Sequence, residues 1–425
     1  MEIQRSGTAS NRSDLRNLQG ARNDNDNGSG GDRRDVIATV FRGLQNRMVN
    51  GYLLRDVIDK VNAIRFNASE EMHTLGRLYE TMLREMRDAA GDSGEFYTPR
   101  PVVRFMVAVT DPKLGETVLD PACGTGGFLV EAMEHLAAQC RTVEDRHMLQ
   151  DRGLRGGEAK PLPYLLAQMN LLLHGLEYPR IDPENSLRFP LREIGDRERV
   201  DIVLTNPPFG GEEEKGILGN FPEDMRTSET ALLFLQLIMR KLKRPGQRAE
   251  NGGRAAVVAP NGTLFADGVA ARIKEELLKH FNLHTIVRLP EGVFAPYTDI
   301  PTNLLFFDRS GPTGDIWFYQ IPVPEGRRKY TKTKPMEYAE FGGCLAWWKA
   351  REGNENAWKV RAADVLKYDK AGRLVSANLD SKNPNSLEAL EHRPPEALVA
   401  QMLEKERRIV GVMEEIRAML ADRIH

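Results

Sequence analysis

Cysteine is scarce in this chain: three among 425 residues (Cys123, Cys140 and Cys344), far apart. That excludes a disulfide scaffold, shows no metal-ligand spacing, and fits a reducing, cytoplasmic compartment. The eight histidines form no ligand pattern either. No apolar run reaches the roughly 18 residues that a membrane helix needs. The N-terminus lacks the apolar centre of a secretory signal. An excess of one charge is missing too, since the net charge is −2. A protein so balanced is not drawn to nucleic acid by its bulk field. Affinity of that kind needs a local basic patch or a second subunit, because phosphate neutralisation carries most nonspecific binding.

What is present is length and pattern, enough for two or three units. Residues 1–32 are polar and rich in Gly, Asn and Asp, and read as a disordered tail. Residues 33–92 read as a helical region. VIATVFRGL, YLLRDVIDKV and SEEMHTLGRLYETMLREM each carry apolar residues at helical spacing. Ser69 is placed to cap the last of them. From about residue 93 to 345 short apolar runs alternate with amphipathic segments. Strand–helix alternation predicts an α/β fold, a parallel sheet with helices on both faces. After about Gly343 the pattern loosens, and residues 346–425 read as an extension. It closes on an amphipathic helix bearing Val399, Met402, Ile409, Met413, Ile416 and Leu420. That helix packs on its own domain or docks on a partner.

TVLDPACGTGGFLVEA reads as a strand, a glycine turn and a helix. Gly124, Gly126 and Gly127 allow a tight turn and close approach of a ligand. This is neither the dinucleotide fingerprint nor a phosphate loop, which would carry a Lys-Ser/Thr pair. The segment instead resembles the first motif of S-adenosylmethionine-dependent methyltransferases, in which Asp120 and the loop face the cofactor. An acid after the next strand is expected to hold the ribose, as in dinucleotide folds. Glu158 in LRGGEAKP is that candidate, further on than the usual spacing of about 20 residues. Glu144 and Asp145 are rivals in a charged, solvated stretch. Upstream, in GEFYTPRPVV, Thr98 reads as a helix N-cap followed by a first-turn proline, Pro99. Free N–H groups at that helix start would suit the carboxylate of the cofactor's methionine part.

The run VDIVL leads straight into TNPPFGG. Prolines end the ladder and hold an amide and a ring on a stiff turn. An exocyclic amine on a nucleobase is a weak nucleophile, because its lone pair is delocalised into the ring. Two acceptors at its N–H bonds favour the tetrahedral form that can attack a methyl sulfonium. The Asn206 side-chain carbonyl and the Pro207 backbone carbonyl would supply them, by positioning rather than strong base chemistry. Phe209 offers a flat face to a base taken out of the helix. The plainer reading is a rigid turn with a buried ring.

In this order, GEFYTPRPVV, DPACGTGGF, NPPF and GRAAVVAPNGTLF resemble the modification subunit of Type I restriction–modification systems, an adenine-N6 DNA methyltransferase. The likeness runs from about Ala68 to the C-terminus. The DPACGTGGF and NPPF pair marks amino-methyltransferases. GEFYTP, WWKAREGNENAW, SANLDSKNP and the closing helix point to the subunit. The resemblance implies a Rossmann-like methyltransferase sheet with an N-terminal helical region and a long C-terminal helix. It implies that Tyr97, Thr98, Asp120, Ala122, Gly124, Thr125 and Gly126 bind S-adenosylmethionine, that Glu158 holds its ribose, and that Asn185 contacts its adenine ring. The last position often carries Asp in relatives. Asn206, Pro207, Pro208 and Phe209 would be catalytic. One departure is the N-terminus, where fewer than 100 residues precede GEFYTP and the family has a longer helical domain. A shortened or mis-started reading frame is one account of it.

No block after Phe209 is large enough to be a separate sequence-reading domain. The basic stretch Arg327, Arg328, Lys329, Lys332 and Lys334 is able to touch phosphates, although a solvated hairpin is the commoner use of such a run. Base recognition is therefore expected from another chain. The resemblance implies a specificity subunit, a second copy of this chain and a nuclease-translocase subunit, with DNA as substrate and no membrane. Two alternatives stay open at this point. One is methylation of cytosine N4 or a protein glutamine. The other is an inactive scaffold, which the intact Asn206, Phe209, Gly124 and Gly126 disfavour.

Overall fold

The computed structural model describes residues 50–62, Tyr79, 98–385 apart from 212, 247–249, 296–297 and 325, and then 403, 406–411 and 413. The expected tail 1–32, most of the region 33–92, Tyr97 and most of the closing helix lie outside the described residues. The chain divides into two units between Ile64 and Arg65. The first holds helix α1 (Gly51–Asn62). The Asn50 side-chain oxygen caps its start, accepting from the N–H of Tyr52 at 2.9 Å and of Leu53 at 3.4 Å.

The second unit is built on a nine-stranded sheet. In chain order it contains α2 (Arg100–Thr110), β1 (Val118–Asp120), α3 (Gly127–Ala137), α4 (Val143–Arg152), β2 (Leu154–Gly157), α5 (Pro161–Leu173), β3 (Ile181–Asp182) and β4 (Ile202–Thr205). There follow α6 (Thr230–Lys241), β5 (Arg254–Pro260), α7 (Asn261–Phe265), α8 (Val269–His280), β6 (Asn282–Arg288), β7 (Thr302–Asp308), β8 (Asp315–Gln320), α9 (Gly342–Lys349) and β9 (Ala357–Arg361). The strand order is β3-β2-β1-β4-β5-β7-β6-β8-β9. From β1 the chain winds outward to β3 and then returns to the other side as β4. The switch point therefore falls between β1 and β4, which is where an open α/β sheet binds its ligand.

The expected α/β, Rossmann-like sheet is present, with one correction. It is mixed, because β7 runs antiparallel to β5 and β6, and β9 antiparallel to β8. A parallel return needs a crossover element. The connection 289–301 shows no helix among its described residues, so the chain re-enters the sheet reversed.

Alternation along the central strands fills two layers. Ile202 and Leu204 of β4, Ala256 and Val258 of β5, and Leu304 and Phe306 of β7 pack into one core with α2 and α3. Val203, Val257, Leu305 and Phe307 point the other way, into a core with α6 and α8. Strands covered on both faces read as continuous apolar runs, which is why LLFF and AAVVA carry no polar alternation.

The sheet also passes the expected break at residue 345, which falls inside α9. Trp347 and Ala357 are buried in the first core, and Trp358 stacks on Phe318 with centroids 5.3 Å apart. The loose spacing beyond Gly343 hid this, because α9 and β9 are short and are buried through aromatic rings.

Candidate active site

The site forms at the carboxyl ends of β1 and β4. Asp120 ends β1, and the chain turns at once into the glycine loop. The Cys123 N–H donates to the Gly157 carbonyl at 2.9 Å and the Gly126 N–H to the Cys123 carbonyl at 2.7 Å. Gly124 and Gly126 have φ of 54° and 83°, a left-handed backbone that a side chain would strain. Gly126 is the residue before α3, so the loop delivers its backbone to a helix start. The Thr125 carbonyl accepts from the Asn170 amide of α5 at 2.9 Å.

Two acids flank this loop. Asp120 is buried and accepts from the Thr205 hydroxyl at 2.7 Å and from the Ala122 N–H at 3.1 Å. Burial pushes its carboxyl up to about 7, even though both donors favour the charged form. Glu158 follows β2 directly and is also buried. Its two oxygens accept the N–H of Gly124 at 3.0 Å and of Lys160 at 2.8 Å. Burial raises this carboxyl too, opposed by those two N–H groups. The rivals are placed elsewhere: Asp145 is the reciprocal partner of Thr142 in the capping box of α4, and Glu144 lies in the same first turn. The extra helix α4 is the reason Glu158 stands so far along the chain.

Asn206 follows β4. Its amide nitrogen donates to the Thr98 hydroxyl at 3.0 Å, while its side-chain oxygen is buried and has no partner among the described residues. A buried acceptor left open costs about 1–3 kcal/mol, so a donor is expected to meet it. Pro207 is buried, Pro208 is exposed, and Phe209 is partly covered, its ring 6.0 Å from Phe294 in an edge contact.

Thr98 is not the helix cap that its sequence suggested. Pro99 holds that position, with no side-chain cap hydrogen bond among the described residues. Pro101 has no N–H, and the Val102 and Val103 N–H groups both donate to the Pro99 carbonyl. The Pro99 carbonyl thus takes two N–H groups of the first turn, and the Thr98 hydroxyl is turned to Asn206. Asn185 lies three residues beyond β3. Its oxygen accepts the Leu187 N–H and its amide donates to Glu213, a residue just past the NPPF turn, at 3.1 Å.

Sequence reasoning missed Thr205, Asn170, Phe294 and Glu213. Asn170 had a readable signal, a buried polar residue within the apolar run of α5. The other three act through contacts far along the chain and left none.

Residues 70–376 match the family model described as N-6 DNA Methylase. The chain is 48% identical over 394 residues to the Type I restriction enzyme EcoEI methylase subunit of Escherichia coli, covering 91% of this chain and 76% of the relative. A crystal structure of the modification subunit of a type I restriction enzyme from Vibrio vulnificus YJ016 superposes with a TM-score of 0.82 at 79% identity, covering 86% of this chain and 76% of that one. A chain from a type I R-M system studied for complex assembly and conformational transition gives a TM-score of 0.75 at 42% identity, covering 93% of this chain and 80% of that one. With a glycine turn and an NPPF turn brought to one switch point, and a family match that spans the sheet holding both, the chain belongs to the N-6 DNA methylase family.

Proposed function

We propose that this chain is the modification subunit of a Type I restriction–modification complex and transfers a methyl group from S-adenosylmethionine to N6 of adenine in DNA. The observation that carries the proposal is the open, buried oxygen of Asn206 beside the glycine loop. The family separates adenine N6 from cytosine N4 or glutamine, and an intact NPPF turn speaks against a scaffold.

The residues present suit the cofactor. Two buried carboxylates face a loop of bent backbone, and among the described residues the charged form of Asp120 has no cation to favour it. S-adenosylmethionine carries an ammonium group and a sulfonium, and supplies an electrophilic methyl. Asp120, Ala122, Gly124, Thr125 and Gly126 would line its methionine part, Glu158 would accept from its ribose hydroxyls, and Asn185 would approach its adenine ring. Tyr97 would join them. Thr98 is better placed to orient Asn206 than to touch the cofactor.

For the target base, the Asn206 oxygen accepts one N6 hydrogen and the Pro207 carbonyl the other. Phe209 stacks on the ring, steadied by its edge contact with Phe294. The proton leaves the amine only once the new bond has formed, so no strong base is required. DNA address and restriction would come from a specificity subunit and a nuclease-translocase subunit, with a second copy of this chain alongside. Among the described residues no helix is long and apolar enough to cross a membrane.

The test is to incubate the purified chain, with and without its co-purifying partners, with labelled S-adenosylmethionine and unmethylated DNA. Label in N6-methyladenine is the expected result. Label in another nucleoside, or in protein, would overturn the reading.

A further inference from the structure

The direction of the strands places a basic hairpin on the target side of the site. Strands β4 and β5 are parallel, β7 is antiparallel to both β5 and β6, and β6 is parallel to β8. Hence β4, β5, β6 and β8 all end on the same edge of the sheet. The cofactor residues follow β1, β2 and β3 on one side of the switch point. Whatever follows β6 and β8 lies on the other side, beyond the NPPF turn. The segment after β8 carries Arg327, Arg328, Lys329, Lys332 and Lys334, all exposed.

This segment is not a free tail. Its centre, Tyr330, is buried, donates its N–H to the Glu291 carbonyl at 3.0 Å, and donates its hydroxyl to Glu340 at 2.9 Å. Thr331 and Lys334 then close a small turn by paired backbone hydrogen bonds of 3.3 and 3.1 Å. The Tyr330 backbone lies so close to Gly292 (φ 75°) that a Cβ there would come within 2.1 Å of the Tyr330 carbonyl oxygen. Two residues on, Phe294 meets the edge of Phe209. One continuous set of contacts therefore runs from the stacking ring of the NPPF turn, through the loop after β6, to the basic hairpin. Nearby acids engage part of the charge: Glu340 lies 3.7 Å from Arg327, and Asp299 3.8 Å from Lys329. Arg328 and Lys334 make no ion pair among the described residues.

We propose that the hairpin Arg327–Lys334 is a phosphate-gripping arm that holds the DNA backbone beside the flipped base. The inference rests on the adenine-methylation reading and names how that same site holds its substrate. A chain of net charge −2 has no general attraction for DNA, so its local affinity must come from patches of this kind. Phosphate contacts carry no sequence information. The arm would set how the strand lies across the pocket and leave the address to another subunit. Burying Tyr330 while exposing the cations around it gives the arm a fixed base and a charged tip.

The test uses the complex of the full chain with its co-purifying subunits. It compares the parent with the variant carrying Arg328→Gln, Lys329→Gln, Lys332→Gln and Lys334→Gln. All four positions are exposed, so melting temperature and S-adenosylmethionine affinity should match the parent. Binding to a fluorescent duplex of arbitrary sequence is followed from low to high salt. The slope of log affinity against log salt should flatten by about 0.9 for each phosphate contact removed. KM for DNA in methyl transfer should rise by roughly tenfold or more, with the rate at saturating DNA retained. An unchanged salt slope and unchanged KM would overturn the proposal. So would loss of the co-purifying subunits with the salt slope intact, which would make the hairpin a protein-docking surface. Should the parent itself form no N6-methyladenine, the functional reading fails, and the salt slope still decides whether the arm touches DNA.

Discussion

Replacing Asp120 by Asn tests the electrostatics of the proposed cofactor site directly. The Asp120 carboxyl is raised from its ordinary 3.8 to about 7 by burial. A carboxyl raised in the folded state binds its proton more tightly there than in the unfolded chain. Its contribution therefore favours folding below about pH 4 and is lost as pH rises through the range up to 7. At about 1.4 kcal/mol per pH unit, that gap amounts to roughly 4 kcal/mol as an upper bound. An Asn side chain keeps an oxygen for the Thr205 hydroxyl and the Ala122 N–H, so the exchange isolates the charge. Ligand-free Asp120→Asn should be more stable than the parent at pH 8, by up to that amount, and the difference should close towards pH 4. Urea denaturation of both proteins across this range measures it. A cationic ligand should reverse the balance in the parent. At pH 6 a group titrating near 7 is about nine-tenths protonated, so binding of S-adenosylmethionine should release close to one proton. Calorimetry in two buffers of different ionisation heat reads that release, and Asp120→Asn should show none of it while binding more weakly. Parallel stability curves for the two proteins, or equal proton release, would refute the reasoning.

Asn206→Ala should lower the methyl-transfer rate by about 100- to 1,000-fold while leaving cofactor affinity within a few-fold, as read by single-turnover transfer and equilibrium binding. Arg254→Met should destabilise the sheet domain by about 1.5–3 kcal/mol in urea. It removes a bidentate pair with Glu116, at 2.7 and 2.8 Å, and two bonds to the carbonyls of Thr110 and Asp111. Trp358→Ala should cost about 3–5 kcal/mol in the same unfolding transition as the sheet, because β9 is part of it; a separate transition would restore the break at residue 345. Gly292→Ala should detach the basic hairpin, raising KM for DNA and speeding proteolysis between Arg327 and Lys334, with cofactor binding unchanged.

The sequence by itself determined what is local. Gly124 and Gly126 dictate a bent βα turn, since other residues strain at positive φ. The two prolines after Asn206 dictate where β4 stops. The Thr142–Asp145 capping box starts α4, the helix that sets Glu158 back along the chain. Alternation of apolar runs was enough for an α/β sheet, and the order of DPACGTGGF and NPPF for the chemistry. The tertiary structure decided what depends on neighbours distant in the chain. Thr98 and Asn206 are 108 positions apart, yet they share a hydrogen bond. Pro99 takes the cap position, and nothing local says which side chain the Thr98 hydroxyl will meet. The reversal of β7 follows from a connection that shows no helix among its described residues. The capture of β9 follows from Trp358 finding Phe318. The buried Asp120 acquires its raised carboxyl only because β4 and the core enclose it. Residue type sets what a group can do, and enclosure by the rest of the chain sets its partner, its charge and its aim.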